Sequence, residues 1–185
     1  MDYFTTYTGE NIFPLNPDIN QIHIEDIAHA LSLLCRAGGH FDYFYSVAQH
    51  SVNCAGEAKA RKYPARIQLA CLLHDASEAY ISDIIKPIKT HLPDYLKIEQ
   101  DFQNLICTKF LGDSLCEDEK VIIKQIDDNM LINEFNALMT RTNVFNTIPI
   151  LTGKPSFDYR NHQETETEFL KVYYGIMHAG LIQGR

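Results

Sequence analysis

Apolar residues recur at helical spacing along most of the chain, and this pattern predicts a bundle of α-helices. Between Ile24 and Cys35 they form one apolar stripe, which Gly38 and Gly39 end. The run Leu69–Leu73 is apolar on every side, so we expect its helix to lie at the centre of the bundle. The further helices are predicted over residues 46–62, 65–80, 95–111, 117–139 and 163–177. The expected fold class is therefore all-α.

Two segments depart from the helical pattern. Residues 1–22 combine Gly and Pro with aromatic and β-branched side chains, which predicts a short extended N-terminal arm or hairpin. Residues 140–162 contain Pro149, Gly153 and Pro155 and are predicted to form a long loop. Loops of this length are often functional, and we expect this one to close a pocket. Because no repeat or interdomain linker is visible, residues 1–185 are predicted to form a single domain.

Composition limits the kind of partner. The chain has 185 residues, of which 45% are apolar, enough to bury one sizeable core. It carries 24 acidic and 16 basic residues, for a formal charge of −8, so a bulk basic surface for duplex nucleic acid is absent. A small anionic substrate remains compatible with this charge, because a few well-placed cations are enough to bind a phosphate.

The cysteines and the first residues bear on the compartment. The 5 cysteines lie mostly in apolar helical stretches without C-x-x-C spacing, which is typical of reduced core thiols. The segment Met1–Thr6 has neither the basic nor the apolar region of a secretory signal. No apolar run reaches the roughly 18 residues that a membrane-spanning helix needs. We therefore expect a cytoplasmic protein without a membrane partner.

Candidate chemistry begins at His74 and Asp75, which directly follow the apolar run of the central helix. Unpaired ionisable groups in such a position are costly, and a divalent metal ion is one way to compensate them. Imidazole and carboxylate groups are both metal ligands. His50 lies one turn from Val47 and from Cys54, and so faces inward from another predicted helix.

A fourth candidate ligand comes from the predicted helix 117–139. Asp127 lies one turn from Ile123 and Met130, inside the apolar stripe. Its neighbour Asp128 instead stands four residues after Lys124, in a spacing typical of a solvated ion pair. We therefore choose Asp127 over Asp128 as the ligand.

Two carboxylates and three cations lie close to these candidates in the sequence. Glu78 stands one turn beyond the His-Asp pair on the same predicted helix, at a distance suited to a general acid or base. Asp83 follows, past the expected helix end. Arg36, Lys86 and Lys89 could neutralise a phosphate. Each also has a structural interpretation: the arginine could complement a helix C-terminus, and the lysines and the glutamate could simply be solvated.

The same alternative applies to the ligands, because a single buried histidine is more often a hydrogen-bonded core residue than a metal ligand. The histidines and aspartates could together form a satisfied polar core, which predicts a folded protein without stoichiometric metal. The metal interpretation draws its support from the joint pattern, since His50, His74, Asp75 and Asp127 fall on inward faces of three different predicted helices.

The order His50, His74-Asp75, Asp127 resembles the metal-binding signature of the HD-domain phosphohydrolase superfamily. Over about residues 5–139 the chain is similar to its small bacterial and phage branch of nucleotide phosphohydrolases. The string His-Asp-Ala-Ser-Glu, residues 74–78, is similar to the corresponding segment of 5′-deoxynucleotidases and of phage enzymes that cleave deoxynucleoside triphosphates. The segments that carry the resemblance are Ile24–Ser32, Phe44–Ser51, Leu72–Tyr80 and Asp83–Lys89.

The resemblance implies an all-α HD-domain bundle that hydrolyses deoxynucleotides with a divalent metal ion, either as a 5′-deoxynucleotidase or as a triphosphohydrolase. The ligand types suit Mn, Co, Zn, Fe, Ni or Mg. Because relatives of this kind are typically dimers or larger rings, the resemblance also implies that this chain forms a homo-oligomer. The implied metal ligands are His50, His74, Asp75 and Asp127, the catalytic carboxylates Glu78 and Asp83, and the phosphate contacts Arg36 and Lys89.

A second hypothesis keeps the metal and nucleotide pocket in a binding or regulatory module with negligible turnover. Glu78 and Asp83 count against it, because a pure binder needs neither carboxylate. After about residue 140 the resemblance is loose, so base and sugar recognition have no clear sequence signal.

Overall fold

The computed structural model describes residues 2–183, and the chain folds as an all-α bundle, which confirms the predicted fold class. Two short strands, β1 (Phe4–Thr5) and β2 (Asn11–Ile12), pair in antiparallel register at the N-terminus. The helices of this part of the chain are α1 (Ile24–Leu33), α2 (Val47–Ala60), α3 (Ala65–Leu72), α4 (Glu78–Ile81), α5 (Lys86–Lys89), α6 (Pro93–Leu111), α7 (Glu117–Leu138) and α8 (His162–Gln183).

Local signals in the sequence account for several helix ends. The hydroxyl of Ser46 accepts the backbone N–H of Gln49 and so begins α2. Pro93 stands in the first turn of α6, and Gly112 ends that helix with φ of 88°. At the start of α7, the Glu119 side chain accepts the backbone N–H of Cys116 at 2.9 Å.

The prediction of one continuous helix over residues 65–80 is wrong, because the chain leaves the helix at Leu73 and resumes it at Glu78. A continuing helix would bond the Ser77 N–H to the Leu73 carbonyl. Instead the amide of Gln103, on α6, donates to the Leu73 carbonyl at 2.8 Å and accepts the Ser77 N–H at 3.3 Å. The non-helical residues 73–77, which we call the ligand turn, hold His74 and Asp75.

Buried apolar side chains fill the spaces between α1, α2, α3 and α8. A second cluster lies between α2, α3 and α7, and includes Cys54, Ile67, Cys71, Ile126 and Met130. Because this cluster joins α2 and α7 to the end of α3, it brings their inward polar residues toward the ligand turn. No helix in residues 2–183 combines the length and apolarity that crossing a bilayer requires.

The N-terminal strands confirm the predicted extended arm, and a buried carboxylate holds them against the bundle. The backbone N–H and the hydroxyl of Thr8 donate to the two oxygens of Asp26 on α1, at 2.7 and 2.8 Å. The arm is thus fixed to α1 by two hydrogen bonds to a charged group, which are stronger than bonds between neutral groups.

The long segment between α7 and α8 has no regular structure, as predicted, but residues 152–158 are fastened along α2. We call these residues the strap. The side chains of Gln49, Asn53 and Glu57, spaced one helical turn apart, bond to its backbone at 2.7 to 3.3 Å. At Gly153 the approach is so close that a Cβ would lie 3.1 Å from Glu57 Oε2. The proposed closing loop is therefore anchored through this part of its length.

Candidate metal centre

The four predicted metal ligands meet at one point, with His50 on α2, His74 and Asp75 in the ligand turn and Asp127 on α7. The His50 and His74 Nε2 atoms lie 3.1 Å apart. Asp127 Oδ1 lies 3.2 Å from His50 Nε2 and 3.6 Å from His74 Nε2. Asp75 Oδ2 lies 3.8 and 3.4 Å from the same two nitrogens. Two imidazoles and two carboxylates thus present N and O atoms to a common space.

Hydrogen bonds at the far side of each ring orient the histidines. His74 Nδ1 lies 2.8 Å from the carbonyl oxygen of Cys71, and His50 Nδ1 lies 2.6 Å from Glu134 Oε1. Both partners are acceptors, so each Nδ1 carries a proton and, in the neutral ring, each Nε2 presents a lone pair. Two lone pairs facing each other at 3.1 Å require a positive charge between or upon them.

The carboxylates of Asp75 and Asp127 favour positive charge at the two histidines. Burial would lower the pKa of His74, but Asp75 and Asp127 outweigh it and raise this pKa to about 9. Burial likewise opposes ionisation of Asp127, yet its hydrogen bonds with His50 and His74 lower its pKa. Asp75 also has a lowered pKa, because His74 and Arg36 outweigh its burial. The cluster therefore favours positive charge at the two rings, which either a proton or a bound cation would supply.

Glu134, on α7, is a buried residue of this centre that the sequence analysis missed. Its side chain is fully buried, and it accepts hydrogen bonds from His50, from the Tyr45 hydroxyl at 2.9 Å and from Arg36 at 3.4 Å. A signal was present, since Glu134 stands four residues after Met130 and four before Leu138, in the same apolar stripe that identified Asp127.

Cys54 also lies beside the histidines, and the sequence analysis treated it only as a core thiol. The ligand atoms of His50, Cys54 and His74 lie within 4.8 Å of one another, so this group could hold a metal ion. Its sulfur is 3.5 Å from His50 Nε2 and 4.0 Å from His50 Nδ1. Burial raises the pKa of the Cys54 thiol.

The predicted catalytic carboxylates follow the ligand turn along the chain. Glu78 begins α4 and is 5% exposed, and its Oε2 accepts no hydrogen bond from the described residues. Burial, together with Asp75 and Asp83, raises its pKa to about 9. Lys89 Nζ lies 3.8 Å from Glu78 Oε1 and 3.7 Å from Asp83 Oδ1. As predicted, Asp83 follows the end of α4, so both carboxylates face one lysine.

The three predicted phosphate contacts have different surroundings. Arg36 is bonded to Asp75 at 3.1 Å and to Glu134, and its side chain is 11% exposed. Lys89 is partly buried and bonded to Glu99 at 2.7 Å. Lys86 is exposed in the first turn of α5, and no ion pair joins it to another described residue. Only Lys89 of the three both faces the carboxylates and keeps a partly open side chain.

A cleft of about 380 Å³ opens beside the ligand turn. A larger, shallow groove of about 510 Å³ lies on the outer face of α7 around Lys124 and Asp128, whose ion pair is solvated as predicted, and this groove contains none of the ligands. The residues that line the cleft are His74, Asp75, Ser77, Lys89, Leu96, Glu99, Gln100 and Gln103.

Fold and site together define an all-α protein with a buried cluster that could hold a metal ion. The chain is 33% identical to the uncharacterized protein YfdR of Escherichia coli over 166 residues, which cover 83% of this chain and 89% of that protein. It is 44% identical over 87 residues to the uncharacterized protein RCAP_rcc00048 of Rhodobacter capsulatus, covering 44% of each chain. No protein-family model matches. The chain therefore belongs to the YfdR family.

Proposed function

We propose that the protein is a metal-dependent phosphohydrolase of the HD-domain type that acts on deoxynucleotides. The observation that carries this proposal is the convergence of His50, His74, Asp75 and Asp127 from three parts of the fold, with Nε2 and carboxylate oxygens 3.1 to 3.8 Å apart. Their order along the chain is the one that the HD-domain resemblance implies.

The donor set fits a divalent metal ion. The imidazoles of His50 and His74, which would lose any proton at Nε2 when an ion binds, and the two ionised carboxylates suit Mn, Co, Zn, Fe or Ni, and the carboxylates also suit Mg. Each histidine is held from behind at Nδ1, as ligating histidines commonly are. A divalent ion held by these residues supplies Lewis acidity toward a phosphoryl oxygen and activates water.

The neighbouring residues have roles that follow from their positions. Glu78 is the proton-transfer group, because its buried carboxyl has a pKa of about 9 and an oxygen with no protein partner among the described residues. Asp83 is the second carboxylate of this side of the site, and Lys89 holds it together with Glu78. Lys89 stabilises negative charge on the phosphate at the cleft. Arg36 compensates Asp75 and Glu134, and so supports the ligands rather than the phosphate.

Charge at the cleft favours a monophosphate over a triphosphate. Lys89 is the lysine that lines the cleft, and it is already paired with Glu99, which lines the same cleft. Asp75 adds a further negative charge there. A phosphomonoester brings about two negative charges, and a triphosphate brings more. The surroundings therefore support the 5′-deoxynucleotidase alternative, with inorganic phosphate and a nucleoside as products.

The test is to incubate the purified protein with the deoxynucleoside mono- and triphosphates in the presence of Mn²⁺ or Co²⁺, with a chelator control, and to separate the products by ion-exchange chromatography. We expect metal-dependent release of inorganic phosphate from monophosphates. Release of intact triphosphate would instead identify a triphosphohydrolase with the same ligands. Stoichiometric metal without metal-dependent product from any of the substrates would contradict the proposal and favour the binding module.

A further inference from the structure

The carboxylate of Glu134 is the meeting point of three donors behind the metal ligands. Its Oε1 accepts from His50 Nδ1 at 2.6 Å and from the Tyr45 hydroxyl at 2.9 Å, while Oε2 accepts from Arg36 at 3.4 Å. The side chains of both Glu134 and His50 are fully buried. A buried carboxylate is costly unless its oxygens are paired, so these three donors hold Glu134 in place.

We propose that Glu134 is a positioning residue that fixes the tautomer and ring orientation of His50 and thereby sets the affinity of the centre for its metal ion. The inference rests on the proposed metal-dependent function, but its test needs no substrate. An acceptor at Nδ1 keeps the proton there and leaves the Nε2 lone pair directed toward His74 and Asp127. With a proton on Nε2 instead, the ring would present a donor where a ligand is needed.

Through Arg36, Glu134 also supports a second metal ligand, Asp75. Its NH1 group donates to Asp75 Oδ2 at 3.1 Å and its NH2 group donates to Glu134 Oε2. The guanidinium is planar, so its two ends hold the ligand turn and α7 in a fixed relation. Glu134 therefore orients His50 directly and helps to orient Asp75 through Arg36.

The Tyr45 hydroxyl has a defined direction as well. It receives a hydrogen bond from the amide of Asn53 at 2.9 Å, which leaves its own O–H to donate to Glu134. The same Asn53 amide donates to the Ser156 carbonyl of the strap at 2.9 Å. The orientation of Glu134 is thus determined from α2 and from the strap, without any exposed group taking part.

The experiment measures Mn²⁺ affinity of the full chain by titration calorimetry. Glu134→Gln keeps the shape of the side chain but removes its charge and replaces one acceptor oxygen by a donor. We expect Mn²⁺ to bind about 10–100-fold more weakly, the usual effect of changing a group that supports a metal ligand. The matched control is Glu119→Gln, which removes another hydrogen-bonded carboxylate of α7, one that contacts Arg66 and the Cys116 N–H at the other end of the helix. Its Mn²⁺ affinity should equal that of the unmodified chain.

A second variant and a spectroscopic measurement separate positioning from folding. Tyr45→Phe keeps the ring but removes one donor to Glu134, and should weaken Mn²⁺ binding less than Glu134→Gln does. In ¹⁵N-histidine spectra of the metal-free chain, recorded at a pH where the His50 ring is neutral, Nδ1 should carry the proton, and Glu134→Gln should shift that proton toward Nε2. If Glu134→Gln does not fold, the Mn²⁺ affinity of Tyr45→Phe decides the matter.

Unchanged Mn²⁺ affinity in the folded variants, or equal losses in Glu134→Gln and Glu119→Gln, would overturn the role of Glu134. A chain that binds Mn²⁺ and shows the expected loss in Glu134→Gln but hydrolyses no nucleotide would support that role and contradict the phosphohydrolase. Hydrolysis of a nucleotide together with unchanged Mn²⁺ affinity in the folded variants would support the phosphohydrolase and contradict the role of Glu134. Failure of the unmodified chain to bind Mn²⁺ would overturn both.

Discussion

Lys89 Nζ lies 2.7 Å from Glu99 Oε1, so the lysine that faces the candidate catalytic carboxylates is held from α6, on the other side of the cleft. The bond fixes a flexible side chain at the cleft, where the proposed phosphate substrate would bind. Burial opposes the charge on Lys89, but Glu99 and Glu78 outweigh it and raise its pKa, so the ammonium group stays charged at neutral pH.

Removing this charge should weaken substrate binding without emptying the metal site. We expect Lys89→Met to raise KM by about 10-fold or more, which corresponds to the loss of one charge-assisted hydrogen bond. The matched control is Lys86→Met, three residues earlier and exposed, which should leave KM unchanged. Steady-state kinetics with metal content measured in parallel checks both. A larger increase in KM for Lys86→Met than for Lys89→Met would show that Lys86, not Lys89, contacts the phosphate.

Replacing the proton-transfer group should affect turnover rather than metal binding. Glu78→Gln is expected to lower kcat by about 10²–10⁴-fold, the contribution of a positioned acid or base, while the protein retains its metal. Glu168→Gln serves as the control, since that residue forms only a solvated pair with Lys171 on α8. Full activity in Glu78→Gln would remove Glu78 from the mechanism.

The two neighbouring aspartates of α7 should behave differently. Asp127→Ala is expected to lose stoichiometric metal and activity, because Asp127 lies 3.2 Å from His50 Nε2. Asp128→Ala removes a half-exposed carboxylate bonded to Lys124 and should retain both. Metal analysis after dialysis distinguishes them. The opposite result, with metal lost only from Asp128→Ala, would show that the ligand was chosen wrongly.

Sequence periodicity was enough to distinguish these aspartates, since Asp127 shares the apolar stripe with Ile123 and Met130 while Asp128 pairs with Lys124 outside it. It was also enough for the all-α fold and the extended arm. The same periodicity placed Glu134 in the apolar stripe, but a second acidic residue there gave no indication of which groups would pair with it. Those partners come from α2 and from the turn after α1, so they become visible only once the helices pack.

The interruption after α3 could not be predicted for a similar reason. Residues 65–80 contain no Gly or Pro, and their apolar pattern continues through Leu73. The side chain that replaces the missing helical bond belongs to Gln103, thirty residues beyond Leu73 in the chain. A tertiary contact thus overrode a local pattern that favours an unbroken helix.

The strap should respond to pH through Glu57. Burial opposes ionisation of Glu57, but hydrogen bonds from the Thr152 and Gly153 amides outweigh it and lower its pKa below the ordinary value of 4.5. The folded state therefore binds fewer protons, and this stabilisation is present above that value and is lost as pH falls through the folded pKa. Glu57→Gln should lower the free energy of unfolding by about 1–3 kcal/mol at pH 7.

The difference between Glu57→Gln and the unmodified chain should become smaller as the pH falls below 4.5. Urea unfolding at a series of pH values from neutral to acidic measures it. A difference that stays constant over this range would mean that the charge of Glu57 does not stabilise the strap.

The position of Gln103 limits how the cleft of this protein can be altered. The Gln103 side chain lines the cleft. Its amide also forms the two hydrogen bonds that hold the ligand turn, which contains His74 and Asp75. A substitution there would change the cleft and disturb the ligand turn together. Leu96 and Gln100 line the same cleft, and the Gln100 amide bonds to Asn104 within α6. A library built to change which molecules enter the cleft should therefore vary these two positions first and keep Gln103 constant.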